Sequence, residues 1–179
     1  MTNMKKLARG FTLLEVMVYI SLTVIIGGIL IAFTLSLITA SLRAREVITT
    51  LDTTRSTMAT LQHEISQATS VYTPTTVQAS AAGQLSLLTT NQAPAGDTDA
   101  YVDFYVDNGR LFMKREGGSI AQLTTDTVAV ENFTVTVLDA TPPGAAVRVS
   151  LTVAFNTQRT DDRLTSRVTL VATTALRSY

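Results

Sequence analysis

From Val16 to Leu42 the chain runs 27 residues without a charged side chain, bounded by Glu15 on one side and Arg43 on the other. A bilayer core of about 30 Å is crossed by roughly 20 apolar residues in a helix, so the run predicts a membrane span rather than a soluble core helix. It is punctuated by Tyr19, Ser21, Thr23, Gly27, Gly28, Thr34, Ser36 and Thr39, and small or hydroxylated residues are common where helices pack on one another in a membrane. The pair Gly27-Gly28 is also a soft point, since glycine costs about 1 kcal/mol relative to alanine inside a helix. Bending under lateral packing and plain close approach are both open at that pair. Ahead of the run lie Lys5, Lys6 and Arg9, which favour a cytoplasmic N-terminus and place everything after Leu42 outside. Arg43 and Arg45 on the far flank weaken that bias without reversing it.

A secretory signal peptide reads basic, apolar, then a small-residue cleavage site. Here Gly10 precedes the apolar run, so cleavage after it releases the run intact. Glu15 then sits within the first turn and a half of the span, where an ionised carboxylate is costly unless it is paired or reaches the interface, and such residues are functional candidates by default. Two readings stand: Glu15 snorkels to the headgroups, or it meets a cation. The stretch Arg9-Gly10-Phe11-Thr12-Leu13-Leu14-Glu15-Val16-Met17-Val18 resembles the class III leader of type IV pilins and type II secretion pseudopilins. At this strength the resemblance covers about the first 30 residues. It implies that a prepilin peptidase cuts after Gly10 and methylates the new N-terminal Phe11. It also implies that Glu15 neutralises the Phe11 amine of a neighbouring subunit as filaments assemble.

The 179 residues, less a leader and a span, leave roughly 135, enough for one compact domain. The chain carries 14 basic and 14 acidic residues; removing Lys5, Lys6 and Arg9 with the leader leaves 11 basic against 14 acidic. No broad electrostatic case for nucleic acid follows. There is no cysteine, so neither disulfides nor thiolate metal sites are available, although many pilins close a C-terminal loop with a disulfide. The single histidine, His63, lies beside Gln62 and Glu64 in a helical pattern and reads as a surface residue. With no nucleophile constellation, phosphate loop or metal motif, the chain is expected to be non-enzymatic and to use no cofactor. Asp97, Asp99, Asp103 and Asp107 are dense enough to raise calcium, but they follow no known loop spacing and read as strand and turn residues. Arg110, Lys114 and Arg115 read as a solvated hairpin edge rather than a DNA contact.

Val47, Leu51, Thr54, Met58, Leu61, Ile65 and Ala68 recur at alternating steps of four and three, the stripe of an amphipathic helix. Arg45, Glu46, Asp52, Arg55, Gln62 and Glu64 fall off the stripe and are expected in water. The helix is therefore expected to continue to about Thr69 and to dock on a sheet of its own chain in preference to a coiled coil. After Tyr72-Thr73-Pro74 the period changes to alternation. Strands are expected at Gln84 to Thr90, Tyr101 to Val106, Arg110 to Met113, Val128 to Leu138, Val147 to Phe155 and about Leu164 to Ala175, with Asn108-Gly109 a hairpin turn and Pro142-Pro143-Gly144 a break. The fold class is α+β: a long N-terminal helix, membrane-spanning in its lower half, packed on one antiparallel sheet of five to seven strands. The division is leader 1–10, transmembrane and assembly helix 11–42, amphipathic continuation 43–70 and β-rich head 71–179.

The layout of Tyr101 to Leu111, Val147 to Val153 and Thr174 to Arg177 is similar to that of larger minor pilins, the W-type minor pilins and the J-type minor pseudopilins. That resemblance implies a subunit that initiates or caps a filament in a pilus, secretion or DNA-uptake machine, with a major pilin as the alternative within the family. Its partners would be the prepilin peptidase, other major and minor pilins or pseudopilins and the inner membrane. A rival expectation is an uncleaved single-span protein whose head binds a ligand or surface, indifferent to Glu15.

Overall fold

The computed structural model describes residues 12–91, 93–138, 145–156 and 166–177. Lys5, Lys6, Arg9, Gly10, Phe11, the break at Pro142-Pro143-Gly144 and Leu164 lie outside the described residues. The chain divides into two compact units, Met1–Arg43 and Ala44–Tyr179. One helix, α1, Leu13–Gln67, supplies residues to both.

Within the second unit α1 buries Thr50, Thr53, Thr54, Thr57, Met58, Leu61 and Ile65, a 3.6-residue period that sets one face inward. Leu61 and Ile65 are almost fully buried, as the apolar spacing predicts. Two details differ. Val47 is 47% exposed, whereas Thr50, Thr53 and Thr57, none of them on the apolar stripe, are inside. Threonine is tolerated at positions 50, 54 and 57 because its hydroxyl finds a carbonyl while its methyl packs. Thr50 Oγ1 donates to Glu46 O at 2.8 Å, Thr54 Oγ1 to Thr50 O at 2.6 Å, and Thr57 Oγ1 crosses to Leu123 O at 3.2 Å.

The helix ends where its last carbonyls meet other elements, because a helix C-terminus leaves several without intrahelical partners. Gln67 O accepts Thr89 Oγ1 at 3.3 Å, Ala68 O accepts the Arg177 N–H at 3.0 Å, and the Thr69 N–H donates to Leu88 O at 2.8 Å. The last of these turns the chain into a strand ladder two residues short of the expected end at Thr69.

The head holds two antiparallel sheets, not the single one that the alternation suggests. The first is a meander in chain order, β1 Ser70–Val71, β2 Gln84–Thr89, β3 Ala100–Asp107, β4 Arg110–Arg115 and β5 Ile120–Gln122. The second is β6 Val128–Leu138, β7 Ala146–Phe155 and β8 Arg167–Ala175. The break falls after β5, where Leu123 and Thr124 turn inward: the Leu123 N–H returns to Leu111 O at 2.9 Å, and Thr124 Oγ1 accepts the Leu111 N–H at 3.1 Å. The β3–β4 turn has Asn108 at φ 49° and Gly109 at φ 71°, the two positive values of the type I′ turn expected for Asn-Gly.

The sheets are joined by the segment before β2. Ala79 N–H donates to Val135 O at 3.1 Å, Phe133 N–H to Ala81 O at 2.8 Å and Gly83 N–H to Phe133 O at 2.9 Å. A Cβ at Gly83 would lie 2.4 Å from Phe133 O, so only glycine allows that approach. One hydrophobic core results, with Leu61 and Ile65 of α1 meeting Leu87 and Phe104 of one sheet and Phe133 and Leu151 of the other.

Candidate assembly site

The N-terminal part of α1 begins with a cap. Thr12 precedes the first helical residue, and its Oγ1 accepts the Glu15 N–H at 3.3 Å, so Thr12-Leu13-Leu14-Glu15 has the sequence of a capping box and the N-cap half of its bonding. Glu15 also places a carboxylate in the first turn, where the helix dipole favours negative charge. Its side chain is half-buried, and among the described residues no cation lies within ion-pairing distance. The Thr-x-x-Glu spacing is a capping signal legible in the sequence, which the reading of Glu15 by its charge alone does not include. Gly10 and Phe11, the expected cleavage and methylation positions, lie outside the described residues.

Beyond the cap the surface is apolar on every side. Leu13 is 80% exposed, Val24 68% and Ile31 64%, and the best 18-residue window has a mean hydropathy of 2.5. By length and composition this helix can cross a membrane; the thirty residues from Leu13 to Leu42 rise about 45 Å at about 1.5 Å each. Four of the hydroxyls that punctuate it are satisfied within the helix. Ser21 donates to Met17 O, Thr23 to Tyr19 O and Thr34 to Leu30 O, each at 2.8 Å, and Thr39 to Ser36 O at 2.9 Å. A side chain that bonds its own backbone one turn back presents mainly its methyl or methylene surface outward, so these residues thin the helix without exposing unpaired polar groups. A Cβ on Gly27 or Gly28 would meet nothing within 4 Å, so nothing among the described residues requires those positions to be bare.

In the head, the remaining candidates separate. His63 is exposed. Glu64, expected in water, instead bonds Arg115 of β4 through both carboxylate oxygens at 2.7 and 2.8 Å, and Arg115 also reaches Asn91 O at 3.3 Å. Arg110 pairs with Asp126 at 3.2 Å, so two of the three residues of the expected basic cluster are neutralised by local acids. Asp103 lies in β3 and Asp107 at its end, apart from Asp97 and Asp99, and the described residues contain no group of three or more ligands able to hold a metal. Tyr72 and Tyr101 meet edge to face at 5.0 Å beside an open groove of about 470 Å³ lined also by Asp103, Lys114 and Glu116.

A capped helix whose first stretch is apolar all round, joined to a head of antiparallel sheets, is the α+β architecture of type IV pilin-like proteins. Among solved structures the chain is similar to a type IV-like pilin from Thermus thermophilus, at a TM-score of 0.50 and 14% identity over 70% of this chain and 95% of that one. This likeness is one of fold. No protein-family model and no curated protein matches the chain.

Proposed function

We propose that this chain is a non-enzymatic subunit of a type IV pilus-like filament, made as a precursor anchored in the inner membrane. The prepilin peptidase removes residues 1–10 and methylates Phe11. Subunits then leave the membrane as their apolar helices pack side by side, with Glu15 meeting the Phe11 amine of a neighbour and setting the stagger. The layout of the head favours the narrower reading, a minor pilin of W type or a minor pseudopilin of J type that initiates or caps the filament. The observation that carries the proposal is the first stretch of α1: exposed and apolar on every side, four of its hydroxyls bonded to its own backbone, opened by one acid and preceded by glycine. Such a surface requires either lipid or other helices around it.

The test is the intact mass and N-terminal sequence of the protein from its native membrane fraction. A chain beginning at methylated Phe11 is expected. A chain still beginning at Met1 in cells with an active peptidase overturns the proposal. One observation favours a second reading, an uncleaved single-span protein whose head binds a surface: Glu15 lies in the first turn of α1, where the helix dipole favours a carboxylate, which gives its charge a role within its own helix.

A further inference from the structure

Three of the four edges of the two sheets are shielded by means that proteins use against strand addition. β1 is two residues long and β5 three. β6 carries a register irregularity between Val130 and Asn132, and its outer side is met by the Ala79–Gly83 segment. β8 differs. It is nine residues long and keeps unbroken register with β7 from Ala154↔Arg167 to Ala146↔Ala175. From Val168 to Ala175 it contains no proline, glycine or charge.

The bonds from Phe155 N–H to Ser166 O and from Leu176 N–H to Ala145 O set the parity of this ladder, so even-numbered residues turn their backbone groups toward β7. Thr169, Val171 and Thr173 turn theirs away, and among the described residues nothing bonds them. The side chains of these three are exposed as well, Val171 by 62%.

We propose that the outer edge of β8 docks the head onto a neighbouring filament subunit by accepting an extended strand from it. Donors and acceptors that repeat every two residues, about 7 Å apart, match an extended backbone. The incoming strand carries uncharged, β-branched or apolar residues on the side of Val171, since the one charge that β8 has on that face, Arg167, is already paired with Glu131. A neighbouring subunit is the occupant because packed stems hold heads together at high effective concentration, where a few strand bonds suffice. The inference rests on the filament reading above.

The chain has no cysteine, so Val171→Cys in the full-length protein gives a unique attachment point for a photoreactive thiol reagent, with Ile29→Cys as the stem control. In filaments recovered from native cells, both sites are expected to cross-link to another subunit. Adding Thr173→Pro removes one outward N–H while sparing the β7 ladder; it is expected to reduce the Val171 adduct about tenfold while leaving the stem adduct and head melting unchanged. Cross-linking at the stem but not at Val171 overturns the docking edge and leaves the filament reading standing. Cross-linking at neither site removes both. Slow hydrogen exchange at Thr169, Val171 and Thr173 in the detergent-solubilised monomer also overturns the proposal, because the edge is then already covered.

Discussion

Glu15 stands at the third helical position, where a carboxylate serves two physical roles that one pair of variants separates. Glutamine completes a capping box as glutamate does, but carries no charge. If pairing with the Phe11 amine governs assembly, Glu15→Gln and Glu15→Ala both lower the filament-incorporated fraction at unchanged membrane insertion, as quantified by sedimentation and immunoblot. Incorporation that survives the glutamine variant but not the alanine one assigns Glu15 to the cap. Gly83 is a second residue whose identity is dictated at the atomic scale. Its missing side chain lets Phe133 O approach to where a Cβ would be 2.4 Å away, so Gly83→Ala forces the two sheets apart locally. A loss of about 2 kcal/mol is expected for overpacking of this kind, read from denaturant unfolding of the head's signal.

At the scale of elements, the head-bound part of α1 holds its place through threonine methyls, Leu61 and Ile65, and one ion pair. The side chains of Glu64 and Arg115 are only 14% and 18% exposed, so solvent weakens their attraction far less than that of a surface pair. Removing the guanidinium leaves the carboxylate half-buried with no replacement donor. Arg115→Ala should therefore destabilise the head by about 2 kcal/mol, whereas Arg110→Ala, which breaks a pair with an exposed acid, should cost under about 1 kcal/mol. Equal losses in thermal unfolding would contradict the difference in burial. The β3–β4 hairpin is specified locally, by Asn108-Gly109 at its turn and by Tyr105 stacked on Phe112 at 5.8 Å across the strands. The helix terminus is specified from afar, by Thr89, Leu88 and Arg177.

At the scale of the whole molecule, the two compact units have different partners to satisfy. The head buries its own core, whereas the apolar side chains of the first stretch of α1 are exposed among the described residues. Changing Gly10 to a bulky residue should trap the full-length precursor, seen as the heavier band on a gel, while the melting of the head stays within error of wild type. The apolar run, the cap, the hairpin and most strand positions were determined by the sequence itself. Charge spacing, helical period, alternation and turn chemistry are relations between residues only a few positions apart. Only the tertiary structure decided that the strands form two sheets, that threonines share the buried face of the helix, that Glu64 is paired rather than solvated, and that β8 keeps an open edge. Those outcomes depend on partners such as Arg115, 51 residues from Glu64, and Leu123, 66 from Thr57, and on which strand has no neighbour. Such pairings arise when distant segments close one core, and no local window of sequence contains them.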